Sequence, residues 1–189
     1  MIPPQKEIMV SLTGAWRLMM FDSGGLHSLN HSVDGFWRSF FAAVVALPLF
    51  LVSSFLHTSE LGAEPSNGTG LYLFRYTLGW IAFPLLMAVL VRLLNRTHLY
   101  ASYIIAINWL AVPQWALVLV VSAFGMVLGD SVGNLMPMLL LVLLLSYDFF
   151  ITRIVLELTV GKSILVVTIG VLLAVLLDRL ILGMLLALR

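Results

Sequence analysis

The chain has 189 residues, of which 61% are apolar and 10% charged, with a formal net charge of +1. Its mean hydropathy of +1.09 lies far outside the range of soluble domains. These values leave no room for a soluble catalytic domain, and the few, dispersed basic residues give no footing for a nucleic-acid partner.

The absence of cysteine excludes disulfides, thiolate metal sites, iron–sulfur ligation and cysteine nucleophiles.

From the amino terminus, Met1 to Phe21 does not read as a cleavable signal peptide. Such a peptide needs a basic start running directly into an apolar core and a small-residue cleavage site. Instead a short amphipathic helix is expected over about Val10 to Phe21, then a turn at Asp22-Ser23-Gly24-Gly25. Val10, Leu12, Trp16, Met19 and Met20 would rest in the headgroup region, with Trp16 and Trp37 as interfacial anchors. Ser32 or Asp34 would cap the helix that enters the membrane. His27 and His31, at i and i+4 with Asp22 and Asp34 nearby, are metal-ligand residue types. Gly24 and Gly25 argue against a rigid helix there, so a polar turn is expected, with no metal and no other cofactor assigned.

Five long apolar stretches follow: Ser39 to Leu56, Tyr76 to Val91, Tyr100 to Leu128, Leu135 to Tyr147 and Ser163 to Leu177. A hydrocarbon core of about 30 Å needs about 20 helical residues. Four stretches reach that length with their uncharged flanks, and the fifth continues past an Asp178-Arg179 interruption. The expected fold class is all-α: a polytopic membrane bundle of five transmembrane helices plus the amino-terminal amphipathic helix. Residues 1–37 form the interfacial segment and 38–189 the bundle.

Charge in the connections alternates at every crossing. Lys6, Arg17, Arg38, Arg92, Arg96, Arg153 and Lys162 fall on the amino-terminal side; Glu60, Glu64 and Asp130 fall opposite. By the positive-inside rule the amino terminus is cytoplasmic and the carboxy terminus outside.

Pro48, Pro84, Pro113 and Pro137 place one proline in each of the first four spans. Ordinary kinks are the default, since membrane helices tolerate proline; hinges lining a path are the functional alternative. Small residues four apart, Gly125/Gly129, Gly170/Ala174 and Ala42/Ala46, allow close helix approach, first within the protomer and secondarily between copies. Asp148, Arg153 and Glu157 are expected as a solvated continuation of the fourth span, with Arg153 and Glu157 paired at i, i+4. A submerged polar site around Asp148 is the alternative. Asp178 should face the bundle near the outer side, with Arg75 as its structural partner.

No span holds a histidine well inside it, which disfavours haem held between helices. Gly161-Lys162-Ser163 lacks the first glycine of a phosphate-binding loop, since position 156 is leucine. No protease, esterase or acid–base constellation stands at working spacing.

The run Ser32-Val33-Asp34-Gly35-Phe36-Trp37-Arg38-Ser39-Phe40-Phe41 leading into the first span, with five spans and no catalytic motif, resembles the bacterial members of the Yip superfamily of small membrane proteins. The resemblance implies a non-enzymatic protein of a bacterial cytoplasmic membrane that acts through helix contacts. Its partners would be the lipid bilayer and other membrane subunits or copies of itself, with the amino-terminal helix as a cytoplasmic docking surface. No functional residue is carried over from the family.

Overall fold

The computed structural model describes residues 2–60, 69–128 and 135–187, and between turns these are helical throughout. Helix α1, Gln5–Met19, follows an extended Pro4 and places Glu7 in its first turn and Arg17 in its last. Both charges suit the helix dipole. Phe21, at φ 57°, turns the chain out of the helix. Asp22 then caps a short 3-10 helix, Ser23–Ser28, by accepting the Gly24 N–H at 2.8 Å. Ser32, rather than Asp34, caps α2, Val33–Ser39, by accepting the Gly35 N–H at 3.0 Å.

The long helices are α3, Phe41–Glu60, α4, Thr69–Leu93, and α5, Tyr100–Leu128, then α6, Met136–Val155, and α7, Val160–Ala187. Five candidate spans result, Val33–Leu56, Gly70–Leu93, Thr97–Gly125, Met136–Val155 and Val160–Met184, each long and apolar enough to cross a bilayer. The first of them includes α2. Two helices run on beyond their apolar stretches, as the sequence reading expects. The fourth helix runs eight residues beyond Tyr147 to Val155, carrying Asp148 inside the span. The fifth passes through Asp178-Arg179 without a break, because a helix satisfies its own backbone whatever side chains it carries.

Pro48, Pro84 and Pro113 lie inside α3, α4 and α5, and Pro137 sits in the first turn of α6, where its missing N–H costs nothing. A 3-10 turn, Thr97–Leu99, opens the third span.

Helix α5 is the hub. It packs most extensively on α3, then on α1, α6 and α2, while α7 packs on α4 and α6. Ala42 and Ala46 are fully buried on α3, and Tyr103, Ile104, Ile105, Ala106, Trp109 and Leu110 are buried along α5. The core is continuous into the amino-terminal segment, where Ala15, Leu18 and Met19 of α1 join the same cluster. The boundary expected at 37/38 falls inside α2, and both sides of it share one core.

Met19, expected among headgroups, is therefore buried in protein, while Trp16 and Trp37 remain 58% and 60% exposed. Close approach between α1 and the 3-10 segment depends on glycine. A Cβ on Gly14 would stand 2.8 Å from the Gly25 carbonyl oxygen, and one on Gly25 would collide with the Gly14 carbonyl.

Candidate functional site

In lipid the informative side chains are the polar ones, since each must find a partner or cost several kcal/mol. Among the described residues, three polar pairs of side chains join α5 to other helices. Nearest the α5 amino terminus, the Tyr103 hydroxyl meets Thr152 Oγ1 of α6 at 3.0 Å, both residues buried. Asn108 donates its amide to Ser39 Oγ at 2.9 Å, and that hydroxyl donates to the Phe36 carbonyl at 2.7 Å. Gln114 donates to Asp148 Oδ1 of α6 at 3.2 Å. Asp148 and Thr152 share one face of α6 at i, i+4, so this face forms a polar seam against α5.

Asp148 is thus part-buried and bonded to α5. Arg153 is exposed at the helix end. The expected Arg153–Glu157 pair does not share a helix, because α6 ends at Val155 and Glu157 takes φ 51°. Arg96 instead donates to the Glu157 carbonyl at 3.3 Å, setting a cation beyond the carboxy end of α6, where the dipole favours one.

At the other end, Arg75 of α4 donates through Nε to Asp178 Oδ1 of α7. Asp178 stands 18 residues from Val160 and Arg75 18 residues from Leu93. At 1.5 Å per residue both are about 27 Å from the ends of their helices on the amino-terminal side. Equal depth on antiparallel neighbours is what brings them together. The pair is not sealed: the side chains are 27% and 55% exposed, respectively.

An aromatic and hydroxyl contact ties α4 to α3. Tyr76 stacks on Phe50 with centroids 4.5 Å apart and donates its hydroxyl to the Ala43 carbonyl at 2.6 Å. Pro48 lacks the N–H that would bond the Val44 carbonyl, which neighbours the carbonyl that Tyr76 uses. Trp115 completes the cluster, edge-on to Phe50 at 5.1 Å. Tyr100 also turns inward, donating to the Pro84 carbonyl at 3.1 Å.

The amino-terminal unit is closed by Glu7, which accepts from Asn30 Nδ2 and Arg38 Nη1, each at 2.9 Å. Arg17 Nε donates to Asp22 Oδ2 at 2.7 Å. That bond, with the Gly24 N–H, holds the Asp22 carboxyl below the usual carboxylate range.

The small-residue positions divide. Ala42 and Ala46 are at a tight interface. Gly170 faces α4, where a Cβ would meet Phe83 at an ordinary 3.5 Å, and Ala174 is exposed. Among the described residues, nothing stands within 4 Å of a would-be Cβ on Gly125. Gly129 lies outside the described residues. Close backbone approaches occur also at Gly14, Gly25 and Gly35.

Asn108, Asp148 and Asp178 thus belong to three different helix interfaces and do not converge on one path. His31 contacts the Leu26 carbonyl at 2.9 Å, and no group of three or more His, Asp or Glu among the described residues stands ready to hold a metal. Sequence reading passed over Ser39, Gln114 and Thr152 as partners. The available signal was their polarity within or beside apolar stretches.

Five long apolar helices, with α5 as their hub and polar residues paired across helix interfaces, define a multi-pass membrane protein. Comparison with protein-family models, with curated proteins and with solved structures found no match.

Proposed function

We propose that the protein is a non-enzymatic component of a bacterial cytoplasmic membrane that acts through helix–helix contacts, as an accessory or scaffold subunit or as a homo-oligomer. The observation that carries this reading is α7. It is the least buried of the five spans, yet it presents charge: Asp178 is half open despite its bond to Arg75, and Arg179 beside it is exposed. A purely lipid-facing helix has no use for such residues, whereas a partner helix at this depth would cover them. The bias of Lys and Arg toward one side supports a cytoplasmic amino terminus. The resemblance of Ser32 to Phe41 to bacterial Yip-type proteins supports the choice of membrane and of a role without catalysis.

A small transporter is the second reading, favoured by the Gln114–Asp148 pair inside a span. Native mass spectrometry from lipid nanodiscs decides between them. A defined heteromeric or homo-oligomeric mass supports the subunit reading and names the partner. A bare monomer whose Asp148→Asn form loses flux in reconstituted vesicles, while keeping its helix content, replaces it with the transporter.

A further inference from the structure

The amino-terminal unit is anchored well below the helix ends. Ser39 is bonded to Asn108, eight residues or about 12 Å along α5 from Tyr100. The Phe21 ring packs on Tyr147 and Phe150 at 5.1 and 5.3 Å, five to eight residues before Val155, or about 8–12 Å along α6. An α-helix with its side chains is about 10 Å across. Helix α1 therefore lies beside the spans at the level where hydrocarbon begins, not on top of them.

Its outward surface agrees with that depth. Met9, Trp16 and Met20 follow one another at i, i+7 and i+11 along α1 and are all exposed. Val33 and Trp37, at i and i+4 on α2, extend the exposed apolar surface. Four charged groups of the unit are paired, Glu7 with Arg38 and Arg17 with Asp22, the second pair nearly half exposed, and Lys6 and Asp34 are exposed as well. Exposed apolar and charged groups side by side suit an element at the boundary between headgroups and hydrocarbon.

We propose that α1 and the 3-10 segment form a one-leaflet membrane insert against the start of the first span, with the hydrocarbon boundary of the bilayer as its partner. The exposed apolar face is continuous with the lipid-facing surface of the five spans, and lipid is what already covers that surface. The insert adds protein cross-section to one leaflet and none to the other. It is distinct from the α7 face argued above and stands whether or not a partner subunit exists.

The chain has no cysteine, so single spin labels test the placement directly. Met9→Cys, Trp16→Cys and Met20→Cys would be labelled in reconstituted bilayers, with relaxation by oxygen compared with relaxation by a water-soluble nickel chelate. Leu172→Cys, exposed in mid-span on α7, is the lipid reference, and Thr159→Cys, exposed in the connection between α6 and α7, is the water reference. The insert requires oxygen-to-nickel ratios at the three sites that approach the Leu172 reference. Ratios equal to the Thr159 reference would place the face in water and overturn the proposal. Low access to both reagents would mean that protein covers the face, and would overturn it equally.

Discussion

Asn108 and Ser39 are 69 residues apart in sequence, and their side-chain bond fixes the start of the first span against the hub helix. Both residues are almost fully buried. The Ser39 hydroxyl relays the contact to the Phe36 carbonyl, so one amide on α5 reaches the backbone of α2. The break between α2 and α3 at Phe40 is placed by this polar contact on one side and by Ala42 and Ala46 on the other.

Asn108→Ala should destabilise the protein by about 1–2 kcal/mol, combining an interhelical bond of about 0.6 kcal/mol with the volume lost. Ser39→Ala should cost less. In reversible unfolding from mixed micelles, a coupling energy indistinguishable from zero in the double-mutant cycle would show that the bond contributes nothing.

At the Arg75–Asp178 pair, Asp178→Asn should lower stability by less than about 1 kcal/mol, since the carboxylate is half exposed and screened. Arg75→Asp combined with Asp178→Arg should recover part of the loss that either exchange causes alone. Thermal melts of the four proteins measure this. Additive losses in the double exchange would remove any role for the pair in holding α4 to α7.

Gly25→Ala should be among the most damaging small substitutions, at roughly 1–3 kcal/mol, because its Cβ would enter the Gly14 carbonyl and the Leu18 side chain. Gly125→Ala should be neutral or stabilising by up to about 1 kcal/mol, since its site is open and the helix prefers alanine. Melting temperatures of the two variants should move in clearly different ways. Equal shifts would mean that the α1 contact is not close-packed in the membrane.

The acid limb of stability should carry a signature of Asp22. Its carboxyl is depressed in the folded state by Arg17 and by the Gly24 N–H, so the folded form binds the proton less readily than the unfolded chain. The stabilisation is fully present above the unfolded value of about 3.9 and is lost as pH falls through the lower folded value. Asp22→Asn should be the less stable protein at neutral pH, and the difference should shrink below about pH 4. Melts of both proteins from pH 7 to pH 3 read this directly.

Much of the architecture is legible in the sequence because lipid enforces a simple rule, that long apolar runs become helices. The five spans, the Ser32 cap and the Arg75–Asp178 juxtaposition all follow from runs, caps and depth. What escaped the reading depends on tertiary geometry. The continuation of α6 past Tyr147 is legible, but the Gln114 donor that meets Asp148 from another helix is not, since no local pattern announces it. Gly25 reads as part of a turn, but its use is a backbone contact with Gly14 across 11 residues. Met19 and Trp16 are neighbours by type on one amphipathic helix; only the position of α5 decides that one is core and the other is not.

The central position of α5 also sets the order in which the molecule can be completed. Helix α1 is synthesised before any span, yet the residues it packs on, in α5 and α6, come some 80 to 130 positions later. At about 5–20 residues per second, that interval is on the order of 10 s. Throughout it, Leu18, Met19 and Phe21 lack the protein surfaces they bury against in the finished fold. Biogenesis of this protein therefore includes a waiting state, in which the amino-terminal unit must be sheltered by lipid or by a chaperone until the third and fourth spans arrive.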